Sequence, residues 1–83
     1  MKSRIDKLEY IFEIKFNNKI YYKNNKPHRD NDLPAIIWKD GSRVWYENGK
    51  SHRDNGKPSH IYSDGYMEWY KDDMYIKSNY NEI

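Results

Sequence analysis

The segment Trp45-Tyr46-Glu47-Asn48-Gly49-Lys50-Ser51-His52-Arg53-Asp54-Asn55-Gly56-Lys57-Pro58 has an earlier copy at Tyr21-Tyr22-Lys23-Asn24-Asn25-Lys26-Pro27-His28-Arg29-Asp30-Asn31-Asp32-Leu33-Pro34. It begins again at Trp69-Tyr70-Lys71-Asp72-Asp73, and each copy is displaced by 24 residues. The register does not slip: Tyr21, Trp45 and Trp69 form one series, His28 and His52 another, Gly41 and Gly65 a third. A fixed period of this kind is the signature of stacked supersecondary units, each burying apolar surface only against its neighbours. It restricts the chain to a repeat architecture. It also changes how every motif is read, because a group that recurs with the unit serves the unit.

Within a unit the turn chemistry is explicit. Ala35-Ile36-Ile37-Trp38-Lys39 runs out, Asp40-Gly41 turns, and Ser42-Arg43-Val44-Trp45-Tyr46-Glu47 returns. Asn48-Gly49 turns again, and Lys50-Ser51-His52 is a short third strand. Asn-Gly and Asp-Gly between apolar strands supply the positive φ angles of tight hairpin turns. The next unit repeats this with Ser59-His60-Ile61-Tyr62, Asp64-Gly65 and Tyr66-Met67-Glu68-Trp69-Tyr70-Lys71, then closes through Asp72-Asp73 into Met74-Tyr75-Ile76-Lys77. Upstream, Tyr10–Phe16 and Lys19–Lys23 read as a hairpin turning at Asn17-Asn18. Residues 1–9 are expected to form a lead-in or a single turn, and Ser78–Ile83 a frayed tail. No segment combines helical period with helical length. The expected fold is all-β, a single domain over 1–83 formed by an antiparallel meander of β-hairpin repeats. It comprises a half-repeat at 10–20, units at 21–44 and 45–68, and a partial unit at 69–77.

A two-residue turn at Asn48-Gly49 sets Tyr46 opposite Ser51 and Trp45 opposite His52. The same register places Tyr21 opposite His28 and Trp69 opposite Ile76, so the position facing the first aromatic takes His or Ile and reads as packing. Directly paired side chains share a face. Tyr21, Trp45 and Trp69 therefore lie on one face, and Tyr22, Tyr46 and Tyr70 on the other. A bulge at the Asp-Gly turns would shift the register there and decide where Ile37 and Ile61 point. Aromatic residues on both faces call for a second layer, which dimerisation with a sister chain would supply. Eighty-three residues are also few for a self-sufficient core.

Charged residues make up 34% of the chain, but nine Tyr and three Trp set it apart from disordered sequences, which are poor in aromatics. A net charge of +2 excludes an acidic nucleic-acid mimic and falls short of a dedicated duplex binder. The absence of Cys removes disulfides, thiolate metal sites and Cys nucleophiles, and fits a reducing cytoplasm. No apolar run approaches the ~18 residues of a membrane span, and no signal-peptide core follows Met1-Lys2-Ser3-Arg4.

On Trp45, Asn48, Gly49, Lys50, His52, Gly65 and Trp69, the chain resembles the MORN-like short repeats of phage and giant-virus proteins and of bacterial proteins described as antitoxins. A weaker first copy carries the pattern on Tyr21, Asn24, Asn25, Lys26, His28 and Gly41, and the resemblance spans about residues 16–77. It is specific as architecture and weak as function, since repeat scaffolds host many partners. The loops after His28 and His52 are longer and more charged than in ordinary MORN units. The small number of units points to a compact or dimeric domain rather than an extended scaffold.

His28-Arg29-Asp30 and His52-Arg53-Asp54 contain acid–base residue types. They recur at the repeat period, as a structural loop does and a single active site does not. His28, His52 and His60 have no carboxylate or second His at a recognised ligand spacing, so no metal and no other cofactor are expected. No phosphate loop or nucleophile elbow is present, so no catalytic residues are expected. Exposed Tyr, Trp and Arg are the residues enriched in interface hot spots, and the candidates are Trp38, Arg43, Tyr46, Arg53, Tyr62 and Tyr70. Most of the same residues would serve single-stranded nucleic acid through stacking and phosphate contacts. The expected function is a non-catalytic protein-binding module. With the resemblance, this becomes a viral accessory protein that covers the working surface of a host protein in the cytoplasm, such as a CRISPR-type defence protein, or an antitoxin-like inhibitor. Differences between copies mark where function would lie: Ile36 against His60, Trp38 against Tyr62, Arg43 against Met67, Val44 against Glu68.

Overall fold

The computed structural model describes residues 10–80 and, among them, contains strands and turns but no helix. The expected lead-in at 1–9 and the last three residues of the expected tail lie outside the described residues. The strands are β1 (Tyr10–Lys15), β2 (Asn18–Lys23), β3 (Lys26–Pro27), β4 (Ile36–Ile37), β5 (Arg43–Val44), β6 (Tyr46–Glu47), β7 (Lys50–Ser51), β8 (His60–Ile61), β9 (Met67–Lys71) and β10 (Met74–Ser78). All pairings are antiparallel, and the main sheet runs β1-β2-β4-β5-β8-β9-β10, with β3 beside β2 and β6-β7 as a separate pair. The all-β meander is therefore observed.

Grouped by their strands, the first, second and third units are β1–β3, β4–β7 and β8–β10, and each is organised by a long stretch that divides its edge between two partners. In β2, Lys19 and Ile20 pair with Ile37 and Ile36, while Tyr22 and Lys23 pair with Pro27 and Lys26. In the second unit Val44 pairs with Ile36, and Tyr46 with Ser51. Backbone bonds then run through the stack: Tyr21 N–H to Ala35 O, Ala35 N–H to Val44 O, Trp45 N–H to Ser59 O and Ser59 N–H to Glu68 O. The turns bond across units at the same period. Gly49 N–H donates to Pro27 O and Asp73 N–H to Ser51 O; Lys39 N–H donates to Asn18 Oδ1 and Ser63 N–H to Ser42 Oγ. Stacking in one direction gives extents of 58 × 25 × 17 Å and a radius of gyration of 14.2 Å. A compact chain of this length would have a radius of about 12 Å. The chain is thus elongated, where a compact or dimeric domain was expected.

Asn48-Gly49 turns as expected, with φ of 53° and 85° and Glu47 paired to Lys50. The Asp-Gly turns do carry the bulge. Gly41 N–H donates to Trp38 O, Trp38 N–H donates to Ser42 O, and Gly41 has φ of 94°, a conformation costly for any side-chain-bearing residue. The first hairpin, however, turns one residue earlier than expected, at Phe16-Asn17, with Lys15 paired to Asn18. Asn18 stands where the next unit has Ser42, and its side chain must accept the Lys39 amide. The bond between units therefore overrides the local turn preference. It leaves Phe16 at φ 53° and 85% exposed, at a cost of about 1–3 kcal/mol.

The last hairpin also departs from expectation. A bulge between Tyr75 and Lys77 sets Lys77, not Ile76, opposite Trp69, so the position facing the first aromatic is not a shared His/Ile packing site. Beyond the bulge the chain follows β9 to its start. Ser78 pairs with Glu68, Asn79 N–H donates to Met67 O, and Asn79 Oδ1 accepts the Met67 amide. Ser78 and Asn79 are consequently held rather than frayed.

The core is small: Ala35, Ile36 and Val44, with Ile20 and Tyr46 packed against it. Trp45 is buried on the opposite face, 5% exposed. There the chain supplies its own second layer, because the loop after each His folds back and lays an Arg on the first aromatic. Arg29 sits 3.7 Å from the Tyr21 ring centroid and Arg53 3.7 Å from that of Trp45. Lys77, one period after Arg53, lies 4.8 Å from the Trp69 ring.

Candidate interaction surface

The His-Arg-Asp loops are built as scaffolding. His28 Nε2 lies 2.7 Å from Asp30 Oδ1 and His52 Nε2 2.8 Å from Asp54 Oδ1. Arg29 Nη1 donates to Pro34 O and Arg53 Nη1 to Pro58 O, closing each loop. The indole N–H of Trp45 donates to Asp32 O, and that of Trp69 to Gly56 O. Every such contact has a counterpart one period away. Guanidinium stacking on an aromatic face adds about 0.5–2 kcal/mol per unit.

Asp32 ties two loops together. Its carboxylate accepts Arg53 Nε at 2.9 Å and Lys57 Nζ at 2.9 Å, and these hydrogen bonds hold its pKa at about 2. An unfolded Asp titrates near ~3.9. Between the two values the unfolded chain binds more protons, so this contribution is present above about pH 4 and is lost as pH falls through about 2. Asp32→Asn should flatten the acid limb of stability between pH 4 and pH 2. Thermal melts at stepped pH would show this, and an unchanged slope would count against it.

On the other face the units diverge. Where the second unit builds its dry core from Ala35, Ile36 and Val44, the third has Ser59, His60 and Glu68 at the corresponding positions, with His60 paired to Glu68. Around this polar pair an aromatic band forms. Tyr75 meets Tyr70 edge-on at 5.6 Å, and Tyr70 lies 4.7 Å from His60. His60 stacks on Tyr62 at 6.1 Å and Tyr62 on Tyr66 at 5.5 Å, and Tyr80 packs tilted against Tyr66 at 4.7 Å. Glu68 stands among these rings and accepts the hydroxyls of Tyr62 and Tyr66, each at 3.0 Å. Burial, followed by the Glu68 hydrogen bond and charge, pushes the Tyr62 phenol up to about 12. Burial lowers the His60 pKa against the pull of Glu68, which favours the neutral ring. Ser59, His60 and Glu68 are residue types found in hydrolytic triads. Ser59, however, is fully buried, and its Oγ accepts the Tyr70 amide at 2.8 Å, so that hydroxyl meets no substrate.

The structure distributes the six sequence candidates. Tyr62 and Tyr70 belong to the aromatic band. Trp38 is 42% exposed and lines a shallow depression with Tyr62, Asn18 and Ser42. Arg43 is exposed on the opposite face, 5.8 Å from the Trp45 ring. Arg53 is occupied by Trp45, Asp32 and Pro58, and Tyr46 packs against the core. His60, Tyr66, Tyr75 and Tyr80 were missed as members of the band. For His60 the signal was present as a His in place of Ile36, and Tyr66 similarly replaces Ser42. Tyr75 meets Tyr70 directly across the Asp72-Asp73 turn, whereas Tyr80 joins only because the bulge returns the chain along β9. The Asn48-Gly49 hairpin also brings Glu47 beside His52 and Asp54, with donor atoms within 4.8 Å of one another, a grouping that spacing along the sequence does not show. No family model, curated protein or solved structure matches the chain.

Proposed function

We propose that the protein is a non-catalytic protein-binding module whose contact surface is the C-terminal tyrosine band. The observation that supports this is the replacement of Ala35, Ile36 and Val44 by Ser59, His60 and Glu68 at a position where a repeat scaffold would gain stability from a dry core. Tyr75 and Tyr80 are 56% and 64% exposed, and such rings provide large contact area with little rotamer freedom to lose. The resemblance to viral MORN-like repeats supports a host protein as the partner, covered in the host cytoplasm. An antitoxin-like role would share the mechanism and differ in target. Single-stranded nucleic acid fits the band less well, because Glu68 stands within it and the rings stack on one another rather than lying free for bases.

The immobilised chain should capture a bacterial or host protein that the Tyr75→Ser/Tyr80→Ser variant captures at least about tenfold less. Equal capture by both would remove the band from the proposal. Tight binding of a labelled single-stranded oligonucleotide, weakening steeply with salt, would replace it with the nucleic-acid reading.

A second copy of the chain fits β1. Its outer edge is unpaired among the described residues, and Ile11, Phe12, Ile14 and Phe16 are 47–85% exposed. With Lys15 and Asn18 closing the hairpin, the amides of Phe12 and Ile14 face outward. A two-fold axis at Ile14 then sets Glu13 opposite the sister chain's Lys15 twice, and Phe12 opposite its Phe16 twice. Sedimentation equilibrium should find a dimer that Ile14→Lys dissociates, and a monomeric wild type at high concentration would reject this pairing.

A further inference from the structure

His28 and His52 occupy the same place in successive units but not the same surroundings. Around His28 both ring nitrogens are committed, since Nε2 faces Asp30 at 2.7 Å and Nδ1 accepts the Asn48 amide at 2.8 Å. One period later, Nε2 of His52 faces two carboxylates, Asp54 Oδ1 at 2.8 Å and Glu47 Oε1 at 3.4 Å. Its Nδ1 stands 3.3 Å from Asp72 Oδ1 and makes no hydrogen bond, although the atom is buried. Two replacements between units produce this setting. Glu47 stands where the first unit has Lys23, and Asp72 stands one period after Asn48, the residue that the next hairpin sets over His28.

We propose that Glu47 Oε1, His52 Nε2 and Asp54 Oδ1 form a binding site for a divalent first-row transition-metal ion such as Zn²⁺, with Asp72 as the outer carboxylate that orients His52. A tetrahedral ion with bonds of ~2.1 Å needs donors about 3.4 Å apart. The Glu47 oxygen already stands 3.4 Å from Nε2, and Asp54 needs to withdraw by little. The half-exposed Glu47 and the exposed Asp54 leave the ion a path from solvent, whereas the His52 side chain is only 11% exposed and fixed in place.

The buried Nδ1 is the independent observation. Without an ion, Nδ1 has no hydrogen-bond partner, because Asp72 Oδ1 stands 3.3 Å away but out of line. An ion on Nε2 leaves the neutral ring its one proton on Nδ1, where a small turn of the Asp72 carboxylate would accept it. A ligating His that donates its other N–H to a carboxylate is the usual outer arrangement of such sites. Three protein donors leave at least one coordination position to water. The first unit is an internal control, because its Nδ1 is held as an acceptor by Asn48 and Lys23 replaces the second carboxylate.

The test is a ZnCl₂ titration of the full chain in a non-chelating buffer, followed by ¹H–¹⁵N correlation of the imidazole nitrogens. His52 should saturate at one ion per chain, with Nε2 shifting as the metal-bound nitrogen and Nδ1 carrying the ring proton in the bound form, while His28 and His60 stay unchanged. Asp72→Asn should weaken binding about 10- to 100-fold, and Glu47→Lys should weaken it by at least that much. The second variant installs the residue with which the first unit already folds, and circular dichroism without the ion confirms its structure. Parallel shifts at His28 or His60, absence of a saturating shift at His52, or unchanged affinity in folded Asp72→Asn would each overturn the site.

Discussion

Trp45→Ala is expected to destabilise the chain by about 3–5 kcal/mol, enough to unfold much of so small a domain at 25 °C. The ring is 5% exposed, is stacked by Arg53 at 3.7 Å, and donates its indole N–H to Asp32 O at 3.0 Å. Truncation leaves a void, an unstacked guanidinium and a carbonyl without its donor. It also frees the Arg53 and Asp32 contacts that join two loops, so the damage spreads beyond one unit. Trp45→Phe keeps most of the area but not the donor, and should cost about 1–2 kcal/mol. Urea denaturation of the three proteins at matched m-values would check the order. A loss below about 1 kcal/mol for the alanine variant would mean that the loops hold without their aromatic anchor.

The opposite sign is expected at the same rung on the other face. His60→Ile with Glu68→Val converts the third unit's polar pair into the second unit's Ile36–Val44 pair. Exchange of a half-buried polar pair for packed aliphatics should stabilise the chain by about 1–3 kcal/mol. Tyr62 and Tyr66 would lose Glu68 as acceptor, but their hydroxyls lie within reach of water. The Tyr62 phenol, now held at about 12, should fall part of the way towards ~10 in a spectrophotometric titration, since the Glu68 contribution goes while burial, the larger cause, remains. If the tyrosine band is the contact surface, capture of the partner should weaken as stability rises. A variant that gained stability and bound unchanged would divorce the polar pair from binding.

The all-β architecture was legible because it rests on local rules repeated in register. Gly41, Asn48 and Gly49 announce their turns through the φ angles they tolerate. What was not legible arises from bonds between units. Asn18 looked like a turn residue and is a strand residue because Lys39 needs its side chain, and Phe16 takes up the strain. Arg53 was expected to be exposed and is instead engaged by Trp45, Asp32 and Pro58, since nothing local reveals that its loop folds back onto Trp45. The divergence of copies pointed to His60, Tyr62 and Glu68, which do meet. Comparison of copies could not reach Tyr80, which has no counterpart in its own unit and joins the band only through the bulge.

That bulge gives the molecule a direction. In the second unit, the row of amides and carbonyls along β5 is left for β8, the first strand of the unit that follows. In the last unit the chain steps aside at Tyr75–Lys77 and fills the equivalent row on β9 with its own Ser78 and Asn79. Both ends of the sheet thus finish on an edge strand, β1 at one and β10 at the other, but only at the β10 end does the same hairpin continue past a bulge to fill the row that a following unit would use. Length can be added by inserting further 24-residue copies ahead of Trp69, each advancing the stack by one rung. Units appended after Asn79 would find the row on β9 already taken by Ser78 and Asn79, so lengthening at that end would first require β10 to give up its last rungs.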